Sequence, residues 1–132
     1  MAQRFFPTSG YSRIAPMPDT QAAGLALITM DSGVMLVAEV DGVLQAMAAL
    51  HVEPFIFNPH VTIAQEIVFW IEPEHRGGLL AARMLRAIDE ACRKRGAQVV
   101  RMATLPSSPE AAEKLFERSG YALSETYFVK VL

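Results

Sequence analysis

The sequence predicts an α+β domain with a mixed, strongly twisted sheet of about six strands, flanked by three or four helices. Runs of strand-forming residues at 34–40, 43–53, 61–71 and 98–105 are separated by turn signals and by stretches with helical periodicity. A strand, a helix and a second strand follow one another in the second half of the chain, which is typical of a parallel strand pair. The 132 residues leave room for one domain, spanning residues 1–132.

The N-terminal region predicts an irregular arm followed by a helix. Residues 1–18 contain three prolines and one glycine among several aromatic side chains, so they favour irregular structure with at most a short strand at 11–15. Asp19 is a typical N-cap residue for a helix over residues 20–30.

The first strands predict a hairpin and then a long connection. The dipeptide Asp41-Gly42 between the strands at 34–40 and 43–53 favours a tight turn. Residues 54–60 hold two prolines and one asparagine, which indicates a long loop before the strand at 61–71.

The strand at 61–71 leads into a glycine-containing turn and a helix that extends to about Gly96. Arg76, Gly77 and Gly78 directly precede the helix. Glycine lets the backbone approach a ligand closely, and the first amides of a helix have no internal acceptor. Together with the positive helix end and the arginine, these features predict an anion site. The stretch matches neither the Walker phosphate loop nor the dinucleotide fingerprint.

The C-terminal part predicts a strand, a short helix and a further strand. A turn at 106–109 follows the strand at 98–105, and the helix at 110–118 ends at Gly120. Residues 121–132 contain no Gly, Pro, Asn or Asp and therefore predict one long strand. If the sheet lacks its last strand, a second copy of the chain is expected to cover that edge as a homodimer.

Composition excludes several classes of function. A net charge of −2 gives no basic stripe, so nucleic acid is not expected as the main ligand. No apolar run approaches the roughly 18 residues that a membrane span needs. One cysteine, Cys92, cannot form an internal disulfide, and without a signal-peptide pattern the expected location is the cytoplasm. The three histidines show no metal-ligand spacing, so no metal site is expected.

The turn and its flanking elements resemble the GNAT (Gcn5-related) acyl-CoA N-acyltransferases. The signature of this family is an apolar strand followed by Arg or Gln-x-x-Gly-x-Gly or Ala at the start of a long helix, and Arg76-Gly77-Gly78-Leu79-Leu80-Ala81 occupies that place. Arg76, Gly77 and Ala81 fit, whereas Leu79 stands where the family usually has glycine. The resemblance covers about residues 11–132 and implies acetyl-CoA as co-substrate, with a small molecule or a peptide as the amine acceptor.

The resemblance also implies which residues bind the cofactor. The main chain of Phe69, Trp70 and Ile71 is expected to bind the pantetheine. The amides of the turn, Arg76, Gly77, Gly78, Leu79, Leu80 and Ala81, are expected to bind the pyrophosphate. Phe116 stands in the last helix where many members have a tyrosine, so it is expected to pack in the core beside the cofactor.

Glu66 is the candidate general base. Strand alternation places it on the same face as Trp70, and the run Glu66-Ile67-Val68-Phe69 resembles the strand that carries the base of the histone-acetylating branch of the family. The alternative is an exposed or salt-bridged strand carboxylate. Glu72 is a second candidate, although its place at the strand end favours a structural role.

The general acid is less clearly indicated by the sequence. Phe116 replaces the usual tyrosine, and Pro109 stands where an asparagine often opens the same helix. The thiolate would then be protonated by Tyr121, by Tyr127 or by solvent, and Tyr127 is taken as the candidate side chain.

These residues predict an N-acetyltransferase that moves an acetyl group from acetyl-CoA to a primary amine by direct transfer. Phe116 and Pro109 motivate the alternative, a catalytically weak acyl-CoA-binding sensor or an assembly and interaction module. A third reading is a domain that has lost the cofactor. Residues 1–30, 54–61 and 119–132 carry few charges and several aromatic side chains, which favours a small or partly apolar amine.

Overall fold

A mixed four-stranded sheet and three α-helices form the part of the chain that the structure, a computed structural model, describes: residues 1–16, 19, 21, 24, 26 and 30–132. The strands are β1 (Gly33–Val40), β2 (Val43–Phe55), β3 (Asn58–Ile71) and β4 (Val99–Arg101), in that order across the sheet. The helices are α1 (Ala2–Ser9), α2 (Leu79–Lys94) and α3 (Ala111–Arg118). The helix expected over 20–30 lies mostly outside the described residues.

The sheet pairing confirms the predicted mixed topology. β1 pairs with β2 and β2 with β3 in antiparallel fashion, whereas β3 pairs with β4 in parallel. The β1–β2 turn is the expected one, since Asp41 and Gly42 have φ of 51° and 78°. Two successive residues with positive φ match the twist of a two-residue hairpin.

The expected long connection at 54–60 was wrong. β2 continues to Phe55 and β3 begins at Asn58, so only Ile56 and Phe57 form the turn between them. The register shifts between Pro54 and Phe55. Such an irregularity admits a proline in the strand because no regular ladder hydrogen bond is required there.

The N-terminal arm was also predicted incorrectly, because residues 2–9 form α1 and residues 11–13 form a 3-10 turn. Pro7 lies inside α1, where it removes a helix donor. Tertiary contacts stabilise the helix nevertheless: Arg4 binds Glu72, and the Phe5 ring packs edge-on against Trp70 at 5.8 Å. Neither contact has a local sequence signal.

The sheet has four strands in the described part of the chain, not six. β4 has three residues where eight were expected, and residues 121–132 form no strand. A three-residue strand offers too few main-chain groups to template a twelve-residue neighbour. The apolar side chains of the tail, including Leu123, Phe128 and Leu132, are exposed as a result.

The core lies between α2 and one face of the sheet. Leu85, Ile88 and Cys92 of α2 are fully buried in one cluster with small residues of β2 and β3 such as Ala48 and Ala64. Because alanine side chains are small, α2 can pack closely against the sheet. This packing holds α2, and with it the first turn of the helix, next to the end of β3. None of the described helices is long and apolar enough to cross a membrane.

Candidate active site

The sheet opens into a fork beside the second half of β3. The parallel ladder with β4 spans only Ile63 to Gln65, which pair with Val99 to Arg101. A β-bulge follows at Ile67, since Ala49 pairs with Val68 and Leu50 with Glu66. In the described part of the chain, residues 66–71 of β3 therefore have a neighbouring strand on the β2 side alone.

A cavity of about 520 Å³ occupies the fork. β3 forms its floor, the turn before α2 one end, and α3 and α1 its sides. This volume is in the usual range for small-molecule sites. The fork therefore provides a ligand site next to main-chain groups of β3.

The turn between β3 and α2 has the geometry of an anion cradle. Gly77 has φ of 79°, a conformation that is strained for residues with a side chain. A Cβ at Gly77 or Gly78 would meet no other atom within 4 Å, so the space in front of the turn is open. Gly78 is the N-cap of α2 and makes no side-chain capping bond, which leaves the first amides of a 16-residue helix available to an anion.

Arg76 links this cradle to β3. Its Nε donates a hydrogen bond to the carbonyl oxygen of Ile71 at 2.9 Å, and its guanidinium carbon lies 4.5 Å from the centre of the Trp70 ring. The side chain is thus held at the mouth of the turn by two contacts. A guanidinium placed in this way adds a fixed positive charge beside the helix amides.

Glu66 lies at the fork itself. Its Oε2 accepts a hydrogen bond from the Ala103 N–H at 3.2 Å, so the side chain reaches across to the segment that follows β4. Burial raises the pKa of Glu66 to about 7, and the bond from Ala103 opposes this rise. A carboxyl group with a pKa near neutrality is suited to exchange a proton with a ligand.

Glu72 is the other acidic candidate, and its pKa is shifted in the opposite direction. Its side chain is 4% exposed and accepts hydrogen bonds from the Nε and Nη2 of Arg4. The bond from Arg4 is the main cause that lowers the pKa of Glu72. Glu72 is therefore a fixed anion that anchors α1, in agreement with the structural role expected for it.

The bulge changes how Glu66 and Trp70 come to share the site. Simple alternation placed both on one face, but the extra residue at Ile67 interrupts that alternation. Both side chains nevertheless line the cavity. The prediction that they share one face of the strand was wrong, because Glu66 pairs with Leu50 and Trp70 with Met47, two residues on opposite faces of β2.

Most predicted cofactor residues meet at the cavity. Those that line it are Phe69, Trp70, Ile71, Arg76, Gly77, Gly78, Ala81 and Phe116. Leu79 and Leu80 instead border an adjoining depression at the start of α2. Phe116 packs against Phe69 with ring centres 6.3 Å apart, so it combines the expected core contact with a place beside the cavity.

The candidate proton donors do not lie among the cavity-lining residues. Tyr127 is 70% exposed in the tail and donates a hydrogen bond to Glu125. Tyr121 donates to Asp89 of α2 at 2.7 Å, and burial together with this bond raises its pKa. Tyr11 is the tyrosine that lines the cavity within the described part of the chain.

Sequence reasoning missed the residues that α1 and the following turn bring to the site. Phe5, Thr8 and Tyr11 line the cavity, and burial with the nearby Glu66 raises the pKa of Tyr11. The aromatic residues of the arm were a signal for packing, but their partner on β3 is about sixty residues away in the chain. Among the described residues, no cluster of His, Cys, Asp or Glu is suited to hold a metal.

Comparisons with known proteins agree with this geometry. A family model described as the acetyltransferase (GNAT) family matches residues 4–121. A comparison with curated protein sequences gave no significant match.

Several solved structures share the fold. A ribosomal-protein-alanine N-acetyltransferase from Brucella melitensis biovar Abortus 2308 is 22% identical with a TM-score of 0.68, over 99% of this chain and 93% of that one. A predicted acetyltransferase with acetyl-CoA from Clostridium acetobutylicum is 17% identical with a TM-score of 0.70, over 98% and 84%. AAC(6')-Iy, in complex with the bisubstrate analogue CoA-S-monomethyl-acetylneamine, is 17% identical with a TM-score of 0.73, over 92% and 85%.

The state of Glu66 predicts a pH-dependent effect of its replacement on stability. Its pKa rises from 4.5 to about 7, so between these values the folded protein binds more protons than the unfolded chain and loses stability as the pH rises. Glu66→Gln should therefore raise the free energy of unfolding at about pH 8, by at most about 3 kcal/mol, and change it little near pH 4.

Urea unfolding at the two pH values measures this difference. Glu90→Gln, on the exposed side of α2, is the matched control and should give the same change at both values. An equal effect of Glu66→Gln at both pH values would show that burial does not shift its pKa.

Proposed function

The chain belongs to the acetyltransferase (GNAT) family, and from this membership we propose that it transfers an acetyl group from acetyl-CoA directly to a primary amine, with Glu66 as general base. The observation that carries the proposal is the position of the Glu66 carboxylate. It lies in the same cavity as the anion cradle, with a pKa of about 7. One site thus combines a place for phosphate with a group able to accept a proton.

Cofactor binding is assigned to the turn and the fork. The amides of residues 76–81 and the Arg76 guanidinium are suited to a pyrophosphate, since both are positive and the space in front of Gly77 and Gly78 is open. Phe69, Trp70 and Ile71 line the cavity where β3, among the described residues, has no strand on the side away from β2. An extended pantetheine chain can be bound there by main-chain hydrogen bonds.

One carboxylate is sufficient for the proton transfers of the reaction. Glu66 accepts a proton from the acceptor ammonium, which leaves a neutral amine whose lone pair forms the new C–N bond. The C–S bond breaks, and the second proton on nitrogen passes to the departing thiolate through solvent. Burial keeps Glu66 close to the pH at which both its states are populated, so proton acceptance is efficient near neutrality.

Solvent is the proton source that the cavity favours over the tyrosines named above. Tyr121 is engaged by Asp89, and Tyr127 lies in the exposed tail. For Tyr127 to act, the tail would have to move to the fork. A Tyr127→Phe variant with unchanged kcat at all pH values would support protonation by solvent.

A second candidate function is acyl-CoA binding with little turnover. It is favoured by Phe116, which packs on Phe69 and Tyr121 and offers no hydroxyl group from α3. Thiol release in the presence of a panel of amines separates the two functions. Tight binding of acetyl-CoA without thiol release would indicate a sensor, and calorimetry without any binding would indicate a domain that has lost the cofactor.

Glu66→Gln is expected to lower kcat/KM for amine acetylation by about 10²- to 10⁴-fold. The Kd of acetyl-CoA should stay unchanged, because the amide is similar in shape and can still accept the bond from Ala103. In the wild type, kcat/KM should rise with pH to a plateau with an apparent pKa near 7, and the variant should lack this rise. A variant with wild-type activity across the pH range would rule out Glu66 as the base.

Arg76→Ala is expected to raise the Kd of CoA by about 10- to 100-fold, because a charged hydrogen-bond donor to the pyrophosphate is lost. Arg86→Ala is the matched control, since Arg86 is an exposed arginine of the same helix outside the cavity lining. Isothermal titration calorimetry measures both. Equal affinities of the two variants would place the phosphates elsewhere.

We also propose a homodimer formed through the C-terminal tail, residues 122–132. The far edge of β4 is paired with no strand of the described residues, and the tail exposes Leu123, Phe128 and Leu132. Unpaired strand edges and exposed apolar segments favour pairing with another chain.

Phe128→Glu is expected to shift the protein from dimer to monomer in sedimentation velocity, since a carboxylate opposes burial of that position in an interface. Phe57→Glu is the control, because Phe57 is also exposed but lies in the β2–β3 turn. A wild-type protein that sediments as a monomer at all concentrations would contradict the dimer.

A further inference from the structure

We propose that the acceptor site is built for a monoamine carried on an apolar body about the size of one aromatic ring, and not for a polyamine or a multiply charged amino sugar. This inference rests on the proposed function and specifies its acceptor.

The acceptor side of the cavity is an aromatic wall formed by Phe5, Tyr11 and Trp70. The cradle is assigned to the co-substrate, which leaves the part of the lining formed by Phe5, Thr8 and Tyr11 for the second substrate. Phe5 packs edge-on against both other rings, with centres 6.1 Å from Tyr11 and 5.8 Å from Trp70 and an interplanar angle of 68° in each pair. Such mutual packing gives a defined apolar surface to a ligand.

Beside the aromatic wall, the described lining of the cavity contains a single acidic side chain. Among the described residues that line the cavity, Glu66 is the acidic one, while Arg76, Lys114 and Arg118 are basic. Glu72 is close in sequence but is buried and engaged by Arg4. One ammonium group can therefore be neutralised at Glu66, and a second one would have no carboxylate of the lining to pair with.

The remaining charged groups of the lining offer no attraction to a second ammonium group. The Arg76 guanidinium, assigned above to the pyrophosphate, lies over the Trp70 ring at 4.5 Å, so a basic side chain borders one end of the aromatic wall. In sequence, residues 14–30 contribute one further charged residue, Asp19, whose Oδ1 accepts the Gln21 N–H. A ligand with several ammonium groups would thus find one carboxylate, Glu66, among the described lining residues and leave its other charges unpaired.

The size of the cavity limits the acceptor. Its volume of about 520 Å³ must also hold the reactive end of the co-substrate. The remaining space is suited to one ring or a short chain. An apolar body of that size loses its water shell against the aromatic wall, which favours its binding.

A panel of amines tests the proposal. With the wild-type chain and saturating acetyl-CoA, kcat/KM for phenethylamine should exceed that for ethylamine, spermidine and a peptide with N-terminal alanine by at least about tenfold. Turnover that favours spermidine, an amino sugar or the peptide overturns the acceptor class, while the proposed function stands.

Binding gives a readout that does not require turnover. Trp70 is the single tryptophan of the chain, so its fluorescence in the CoA complex reports occupation of the aromatic wall. Phenethylamine should bind at least about tenfold more tightly than ethylamine or spermidine. If this preference holds without thiol release, the acceptor class stands and the proposed function fails; if the preference is absent, the acceptor class is overturned.

A designed change of charge provides the sharper test. Thr8 is exposed, lines the cavity from α1, and makes only bonds to α1 carbonyl groups. Thr8→Asp adds a second carboxylate to the acceptor side and should raise kcat/KM for putrescine relative to phenethylamine by about tenfold. Thr8→Asn, which has the same shape without the charge, should not change this ratio; the same ratio in both variants would overturn the proposed position of the acceptor.

Discussion

The free side of β3 between Glu66 and Ile71 is the constraint on which the rest of the site depends. Main-chain donors and acceptors of a strand need partners, and the parallel ladder with β4 supplies them for only three residues. Arg76 supplies one such partner, since its Nε donates to the Ile71 carbonyl. The Glu66 side chain reaches across the gap and accepts the N–H of Ala103. The remaining edge is open to an extended ligand, and the cradle lies directly at its end.

The same fork explains the state of Glu66. In a continuous sheet, a strand carboxylate that faces solvent keeps its ordinary pKa, because water stabilises the charge. Here the side chain points into a gap closed by α1 and the segment after β4, so it is partly desolvated. One hydrogen bond from Ala103 offsets some of that cost and keeps the pKa near 7 instead of higher. The geometry that makes room for a ligand thus also sets the proton affinity of Glu66.

Sequence reasoning succeeded where the signal is local. The Asp41-Gly42 hairpin, the glycine turn and α2 follow from backbone preferences within a few residues, and the structure has all three. It failed where distant contacts decide the outcome. α1 forms around Pro7 because Arg4 and Phe5 meet β3, and the bulge at Ile67 depends on pairing with β2. The tail has strand-forming residues, but β4 is too short to pair with it along its length. The length of a neighbouring strand cannot be predicted from the residues of the tail alone.

The roles assigned to Glu66 and Glu72 require carboxylates with different pKa values, so one residue could not fill both roles. Glu72 must stay ionised to hold Arg4 and with it α1, and the hydrogen bonds from Arg4 lower its pKa. The general base proposed at Glu66 must instead release and accept protons near neutrality, and burial raises its pKa to about 7 because the one amide bond from Ala103 offsets only part of the desolvation. Exchanging these partners would leave the base permanently charged and α1 without its anchor. The separation of their pKa values therefore has two causes: burial raises that of Glu66 against a single opposing amide bond, whereas the hydrogen bonds from the Arg4 cation lower that of Glu72.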